Sequence, residues 1–203
     1  MQIKDMGLVD YREALSFQTD LAETLKRDGG EGMCLLLEHP PVITLGSNKK
    51  MNMVHFTPPG VEAVPTNRGG GATAHNPGQL VFYPVVNLKA LRLSVKDFVV
   101  QVLEMGAALL EHFGVPAKVR MDSLGIWVED RKIASMGVHV ARYVVTHGLA
   151  VNLNNDLTLF SAMTPCGLAG VRMTSAAIER GTPVDMAEAR TKLAGIIRQR
   201  WNI

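Results

Sequence analysis

The chain has 203 residues, of which 47% are hydrophobic and 20% are charged, with a formal net charge of +2. This composition is typical of a globular protein, and the small net charge gives no indication of a nucleic-acid partner. The chain starts without the apolar run of a secretory signal, and no apolar run reaches the ~20 residues of a membrane-spanning helix. We therefore expect no membrane partner, a cytoplasmic location, and two reduced cysteines, Cys34 and Cys166.

The first half of the chain alternates between one helical segment and several strands. Apolar residues at helical spacing predict a helix over 11–27, which Asp28-Gly29-Gly30 ends. Strands are predicted over 33–37, 42–45 and 80–86, with a weaker one over 61–66. The strand over 80–86 follows a stretch with four glycines, residues 68–79.

The second half begins with the strongest helix signal, an apolar face over 94–113 with Ser94 at its start and Gly114 at its end. Strands follow over 124–128, 132–140 and 143–153, then a short helix over 156–163. A last helix is predicted from Pro183, with Thr182 as its N-cap. Strands joined by short turns favour an α+β fold, with mixed or antiparallel sheets packed with helices. We expect one domain over 1–203.

Three stretches carry residues that suit chemistry. The glycines at 69–71 predict a sharp turn and a close backbone approach, but they match neither a P-loop nor a dinucleotide fingerprint. Lys132 begins a strand, where a lysine is either a solvated edge residue or a partly desolvated proton acceptor. Cys166, in Pro-Cys-Gly, is either a small buried thiol or a nucleophile. Cys34 lies in an apolar strand, which indicates an inert thiol.

The histidines are scattered along the chain. None forms a helical pair with a carboxylate, so we predict no metal site, and the order of residues does not favour a serine hydrolase. We place His75 and His147 near a pocket as hydrogen-bond donors to substrate, and a satisfied core histidine is the alternative for each. We expect His112 on a helix surface.

Several of these stretches together resemble the lipoyl(octanoyl) transferase family, octanoyl-acyl-carrier-protein:protein N-octanoyltransferases within the biotin/lipoyl protein ligase superfamily. The matching segments include His39-Pro40-Pro41, Lys132-Ile133-Ala134-Ser135-Met136-Gly137 and Pro165-Cys166-Gly167. They occur in the family's order, and the full set is residues 39–46, 68–73, 75, 77–80, 83–84, 132–137, 146–152 and 165–167.

The resemblance implies a biotin/lipoyl protein ligase-like fold and acyl transfer without ATP or another cofactor. Cys166 would carry the acyl group and Lys132 would be its catalytic partner. The implied substrate-binding residues are Arg68, Gly69, Gly70, Gly71, Ala72, Thr73, Ala74, His75, Ser135, Met136, Gly137, Gly148, Leu149 and Ala150. The candidate contacts of the acyl tail are Leu80, Phe82, Met136 and Leu149.

The implied donor is octanoyl-acyl carrier protein. The implied acceptors are the lipoyl domains of 2-oxoacid dehydrogenase E2 subunits and the glycine cleavage H protein. The chain departs from the family pattern at Gly71, Ala74 and Asn76, which bears on the shape of the acyl pocket. Two alternatives stay open from the sequence: an ATP-dependent lipoate or octanoate ligase, and a non-catalytic lipoyl-binding module.

Overall fold

The computed structural model describes residues 1–164 and 170–203. The strands in this part of the chain are β1 (Gln2–Leu8), β2 (Gly32–Glu38), β3 (Val42–Leu45), β4 (Glu62–Pro65), β5 (Thr73–His75), β6 (Gln79–Val86), β7 (Lys118–Arg120), β8 (Gly125–Val128), β9 (Arg131–Ala141), β10 (Val144–Asn152) and β11 (Arg172–Met173). The helices are α1 (Tyr11–Asp28), α2 (Leu88–Leu91), α3 (Val95–His112), α4 (Ala176–Arg180) and α5 (Met186–Trp201).

Two sheets organise the described residues. The larger one has the strand order β1-β2-β6-β10-β9-β8-β7, with β11 pairing with β9, and the smaller one has the order β4-β3-β5. Most neighbouring strands are antiparallel, while β1 with β2, β3 with β4 and β11 with β9 are parallel. The mixed sheets and the packed helices confirm the α+β class.

The two faces of the large sheet have different covers. Helices α3 and α5 cover one face, which we call the helix face, through a core that includes Phe82, Leu149 and Ile126. Helix α1 packs on the opposite face against a second core that includes Tyr83 and Ala150. Because side chains alternate along a strand, neighbours in sequence serve opposite faces.

Most predicted elements are confirmed because their signals are local. Helix α3 is capped by Ser94, whose side chain accepts from the amide of Asp97, and 156–163 contains a 3-10 helix over Thr158–Ala162. His112 lies on the surface of α3 and contacts Glu188.

The predicted start of the last helix is wrong by three residues. Asp185, not Thr182, is the N-cap of α5, and its carboxylate accepts from the amides of Ala187 and Glu188. The residues just before Asp185 do not join the helix, because the side chain of Asn154 accepts from the amide of Val184 and donates to its carbonyl. A tertiary contact therefore decides between two residues that both suit a cap.

None of the helices in residues 1–164 and 170–203 is both long and apolar enough to cross a membrane.

Candidate active site

The glycine loop, residues 68–72, lies directly on the large sheet. The amide of Gly69 donates to the carbonyl of Val138 at 2.9 Å. A Cβ atom at Gly137 would lie 2.8 Å from the carbonyl oxygen of Gly69, and one at Gly46 would lie 2.1 Å from that of Gly70. The glycines therefore serve a close approach of backbone to backbone.

Arg68 holds this loop from inside. The residue is buried, and its guanidinium donates to the carbonyl oxygens of Thr44 at 2.8 Å and Gly71 at 2.7 Å, and to the hydroxyl of Thr44. A rigid, planar group with five donors suits this task, because it satisfies several carbonyl oxygens of a turning backbone at once.

Between the glycine loop and the sheet is a cavity that we call the slot. Its volume is about 440 Å³ when the open solvent at its mouth is included. The described residues that line it are Arg68, Gly69, Gly70, Gly71, Thr73, His75, Tyr83, Ser135, Met136, Gly137, His147, Gly148, Leu149 and Ala150.

Most of the predicted substrate-binding residues thus surround one cavity, and their role stays a prediction. Ala72 and Ala74 do not line it; they pack with Leu159 and Phe160 in a separate apolar cluster. Of the expected tail contacts, Met136 and Leu149 line the slot, whereas Leu80 and Phe82 are not among its described lining residues and pack in the core on the helix face.

The floor of the slot is built from paired positions of two strands. Ser135 pairs with Ala150, and two residues further along Gly137 pairs with Gly148. Paired residues share a face, so these four positions form two rows on the face opposite the helix face. The second row has no side chains, and the carbonyl oxygen of Gly69 lies where a side chain at position 137 would begin.

A β-bulge decides on which face Lys132 lies. Ala134 of β9 pairs with Ile126 of β8, and Lys132 pairs with the next residue of β8, Trp127. Ile133 is therefore the extra residue of β9 and has no partner in β8. Ile133 and Ala134 both enter the core on the helix face. Without the bulge Lys132, three residues before Ser135, would lie on the helix face; with it, Lys132 lies on the face of the slot floor.

Lys132 is almost fully buried, with 2% of its surface exposed. Its Nζ donates to the carbonyl of Leu124 at 2.9 Å and lies 5.4 Å from the centroid of the Trp127 ring. A Cβ atom at position 125 would lie 2.6 Å from Cε of Lys132, so Gly125 makes room for the aliphatic stem. Lys132 is not among the described residues that line the slot; it lies on the same face, before the Ser135 row.

An ion-pair cluster fixes the strand that carries Lys132. Arg131 donates to both carboxylate oxygens of Glu179 at 2.8 and 3.0 Å, and the hydroxyl of Thr174 donates to the same carboxylate. The Arg131 guanidinium lowers the pKa of Glu179. The amide of Thr174 also donates to the carbonyl of Lys132 at 2.9 Å, so the chain that follows residue 170 returns beside this lysine.

Cys166, the other predicted catalytic residue, lies outside the described residues. Just before that segment, the amide of Thr164 donates to the carbonyl of Met53 at 2.8 Å, and its hydroxyl lies 3.0 Å from Nε2 of His55. The second cysteine, Cys34, is fully buried, and burial raises the pKa of its thiol to about 12. A thiol with this pKa stays protonated near neutral pH, and it is therefore a poor nucleophile.

One end of the slot is formed by aromatic rings. His75, His147 and Tyr83 line it, and all three are buried. His39 connects to Tyr83: its Nδ1 donates to the carbonyl of Val9 at 2.8 Å, so its Nε2 accepts from the Tyr83 hydroxyl at 3.0 Å. The sequence predicted the two lining histidines near a pocket but assigned no such position to Tyr83, whose place on the face of Ala150 follows only from the strand pairing.

His147 reaches the slot through an unusual backbone conformation. Its φ is +61°, which non-glycine residues rarely adopt. The amide of His147 donates to the side chain of Gln18 on α1 at 2.7 Å, and its Nε2 lies 2.7 Å from Oδ1 of Asn67. Neighbours in a strand normally face opposite sides, and Gly148 already lies on the floor. The contacts with Gln18 and Asn67 nevertheless keep the ring of His147 among the lining residues.

Burial controls the protonation of these rings. It lowers the pKa of His39 to about 4 and that of His147 to about 3, and in His147 the nearby charge of Arg68 adds to the effect. Burial also lowers the pKa of His75 well below its usual value, and it raises the pKa of Tyr83. The ring end of the slot is therefore uncharged at neutral pH.

The chain is similar to known proteins over most of its length. The family model of the lipoyl protein ligase A/B catalytic domain matches residues 10–198. An octanoyltransferase of Desulfovibrio desulfuricans is 40% identical over 196 residues, covering 92% of this chain and 81% of the relative. One of Geobacter sulfurreducens is 41% identical over 197 residues, covering 96% and 82%.

Solved structures show the same fold at low sequence identity. A chain from the bipartite lipoate protein ligase and E2 lipoyl domain structure of Thermoplasma acidophilum has a TM-score of 0.68 at 17% identity, covering 100% of this chain and 85% of that one. The biotin protein ligase of Aquifex aeolicus has a TM-score of 0.54 at 15% identity, with coverage of 100% and 69%. At these identities the likeness supports the fold alone.

Proposed function

The chain belongs to the lipoyl protein ligase A/B catalytic domain family, and on this basis we propose that it transfers an octanoyl group to lipoyl domains through a thioester on Cys166. Octanoyl transfer agrees with the names of relatives at 40 and 41% identity. The observation that carries the proposal of a dyad is the buried amine of Lys132, which the bulge in β9 puts on the face of the slot floor. We take residues 1–203 as one catalytic unit.

The reaction has two acyl exchanges. In the first, the Cys166 thiolate attacks the thioester carbonyl of octanoyl-acyl carrier protein, and the carrier leaves as its thiol with one proton. In the second, the ε-amine of a lysine on a lipoyl domain attacks the enzyme thioester. An amide forms, the proton of the amine is released, and the Cys166 thiol is regenerated. Thioester exchange conserves the acyl bond energy and amide formation is downhill, so no nucleotide is needed.

Lys132 is suited to the proton transfers and to the thiolate. A cation in a buried site stabilises a nearby thiolate more strongly than it would in water, because the local dielectric constant is lower. When the amine nucleophile loses its proton, a base beside the sulfur shortens the proton's path. The hydrogen bond to the carbonyl of Leu124 and the contact with the Trp127 ring fix the position of the amine.

The slot is the proposed acyl site. Its floor has two rows that present a serine, an alanine and two glycines. An alkyl chain contributes ~0.8 kcal/mol for each methylene that is buried. The slot therefore selects its substrate mainly by the length and shape of the tail.

Two exposed lysines are candidates for docking the donor. Lys49 and Lys50 form a short 3-10 helix next to the glycine loop, where the amide of Ala72 donates to the carbonyl of Met51. Arg131 and Arg172, by contrast, are engaged by Glu179 and Asp130. An acidic carrier would meet the two lysines at the edge of the slot.

A reaction that depends on a free thiol suits a reducing compartment, and we therefore place the protein in the cytoplasm.

The proposal is tested by intact-mass measurement after the protein is mixed with octanoyl-acyl carrier protein. The wild type is expected to gain one octanoyl group, which peptide mapping assigns to Cys166, and to pass it to an added lipoyl domain. Cys166→Ser abolishes transfer, and the matched variant Cys34→Ser retains it. An adduct on Cys34, or transfer that persists in Cys166→Ser, contradicts the proposal. Transfer from free octanoate that requires ATP and exchanges pyrophosphate identifies a ligase instead.

A further inference from the structure

The sheet face that forms the slot floor has a direction, because Lys132 comes before the lining positions of β9 and the rings of Tyr83 and His147 lie further along. Along β9 the positions on the slot face are Lys132, Ser135 and then Gly137. Continuing the register of β10 with β6 places Gly148 opposite Tyr83, and a Cβ atom at Gly148 would touch the carbonyl of Phe82 and Cδ of Pro84 on either side. The ring of Tyr83 thus belongs to the row of the two glycines.

The distance along this face matches a medium-length tail. The amine of Lys132 lies beside Gly125, which pairs with Ser135, so along the strand it is two positions, or about 7 Å, from the row of Gly137. An extended eight-carbon acyl chain has seven carbon–carbon bonds, or about 9 Å from carbonyl to methyl. A tail whose carbonyl lies beside Lys132 therefore ends near the row of Gly137 and Gly148.

Beyond that row the slot is closed by backbone and by rings. The amide of Gly69 is bonded to the carbonyl of Val138, which brings the glycine loop onto the sheet immediately after Gly137. The rings of Tyr83 and His147 meet edge to face with centroids 6.3 Å apart. Each ring is held from behind, Tyr83 by the His39 imidazole at 3.0 Å and His147 by Asn67 at 2.7 Å.

The two rings of this wall are rigidly held and uncharged, and the Arg68 guanidinium beside Gly137 is bonded to backbone carbonyl oxygens. The hydrogen bonds restrict both rings, and the left-handed backbone of His147 is fixed by Gln18. Because protein interiors are packed as tightly as organic crystals, an additional methylene has no space unless a ring moves. Uncharged ring faces also contact a terminal methyl group without the desolvation cost that a charged group would impose.

We infer that the rings of Tyr83 and His147 form the end of the acyl site and set the longest chain that the enzyme accepts. This inference rests on the proposed function, since it concerns the tail of the same substrate. Both residues are specificity-determining, and neither takes part in the bond changes at the thioester.

The test measures kcat/KM for transfer from eight-, ten- and twelve-carbon acyl donors. In Tyr83→Ala the space of the ring becomes available to the tail. Each newly buried methylene is worth ~0.8 kcal/mol, or about fourfold, so the ratio of the ten-carbon to the eight-carbon donor rises up to about 15-fold. His147→Gly removes the other ring at a backbone conformation that glycine adopts readily, and the same ratio rises there too.

Two controls separate the ring from other effects. Tyr83→Phe keeps the ring and loses only the hydroxyl, so the ratio stays within about twofold of wild type. Tyr143→Ala makes the same truncation at an exposed position on the turn between β9 and β10, and its profile matches wild type. Because Tyr83→Ala removes a buried ring that can be needed for folding, His147→Gly provides an independent measurement.

The outcomes distinguish the two levels of the argument. If the wild type transfers octanoate and the chain-length profile of the ring-removal variants is unchanged, the inference that the rings end the acyl site is refuted. The proposed function then stays intact. A wild type that transfers no acyl chain from any carrier donor refutes the proposed function and, with it, the wall. A shift toward longer chains in both ring-removal variants, and in neither control, supports the inference.

Discussion

Acidification is expected to destabilise this protein through three buried histidines beside the slot. Burial lowers the pKa of His39 from 6.5 to about 4 and that of His147 to about 3, and it lowers the pKa of His75 well below 6.5. The charge of Arg68 also disfavours protonation of His147 and His75, while Asp10 has the opposite effect on His39. All three rings are therefore neutral in the folded state near pH 7.

The sign follows from which state binds more protons. Between about pH 6.5 and pH 4 the unfolded chain protonates these histidines and the folded protein does not, so the free energy of unfolding falls as the pH falls. The stabilisation is fully present above pH 6.5 and is progressively lost below it. From about pH 7.5 to about pH 5, His39 and His147 each contribute a loss of about 2 kcal/mol, together about 4 kcal/mol, and His75 adds to the loss in the same direction. This is a large part of the usual stability of 5–15 kcal/mol.

The measurement is urea denaturation of the wild type and of His39→Gln across this pH range. Glutamine keeps one donor and one acceptor for Val9 and Tyr83 but does not titrate, so the loss between the two pH values shrinks by about 2 kcal/mol. A wild-type loss below about 1 kcal/mol, or an undiminished loss in His39→Gln, would refute the claim that these rings are neutral when buried.

Two further predictions concern the backbone around the slot. Gln18→Ala leaves the buried amide of His147 without its acceptor and is expected to lower the free energy of unfolding by about 1–3 kcal/mol, measured by denaturation; a loss under 0.5 kcal/mol would show that the amide finds another acceptor. Gly71→Ala places a Cβ atom 2.3 Å from the carbonyl oxygen of Met51, so we expect a shifted glycine loop and a loss of about 1–3 kcal/mol, together with reduced octanoyl transfer. The control Gly195→Ala, where a Cβ atom meets nothing within 4 Å, is neutral or stabilising; equal effects of the two substitutions would contradict the close approach at Gly71.

The elements that the sequence predicted correctly have signals within a few residues of each other. The helix over 94–113 combines an apolar face with a serine at its start, and the strand over 80–86 combines β-forming residues with a preceding turn. The last helix shows the limit of such signals. Thr182 and Asp185 both suit an N-cap, and the contact of Asn154 with Val184 decides for the second.

The candidate site was predicted in part. The glycine loop and the segments around Ser135 and Gly148 were recognised as motifs, and the structure brings them to one slot. The motif alone does not show that Ala72 is absent from the slot lining; its side chain packs in a neighbouring apolar cluster. The role of Tyr83 also escaped it, because a tyrosine in an apolar strand gives no sign of facing a cavity.

What the sequence determined by itself is therefore the longer helices and most of the longer strands, the fold class, and the residue types that suit acyl transfer. Only the tertiary structure decided where two of these side chains point. One extra residue in β9 turns Lys132 to the slot face, and a glutamine 129 residues away in sequence holds His147 in a left-handed conformation. The physical reason is that a bulge and a strained φ are stabilised by partners distant along the chain, and such partners leave no periodic pattern in the local sequence.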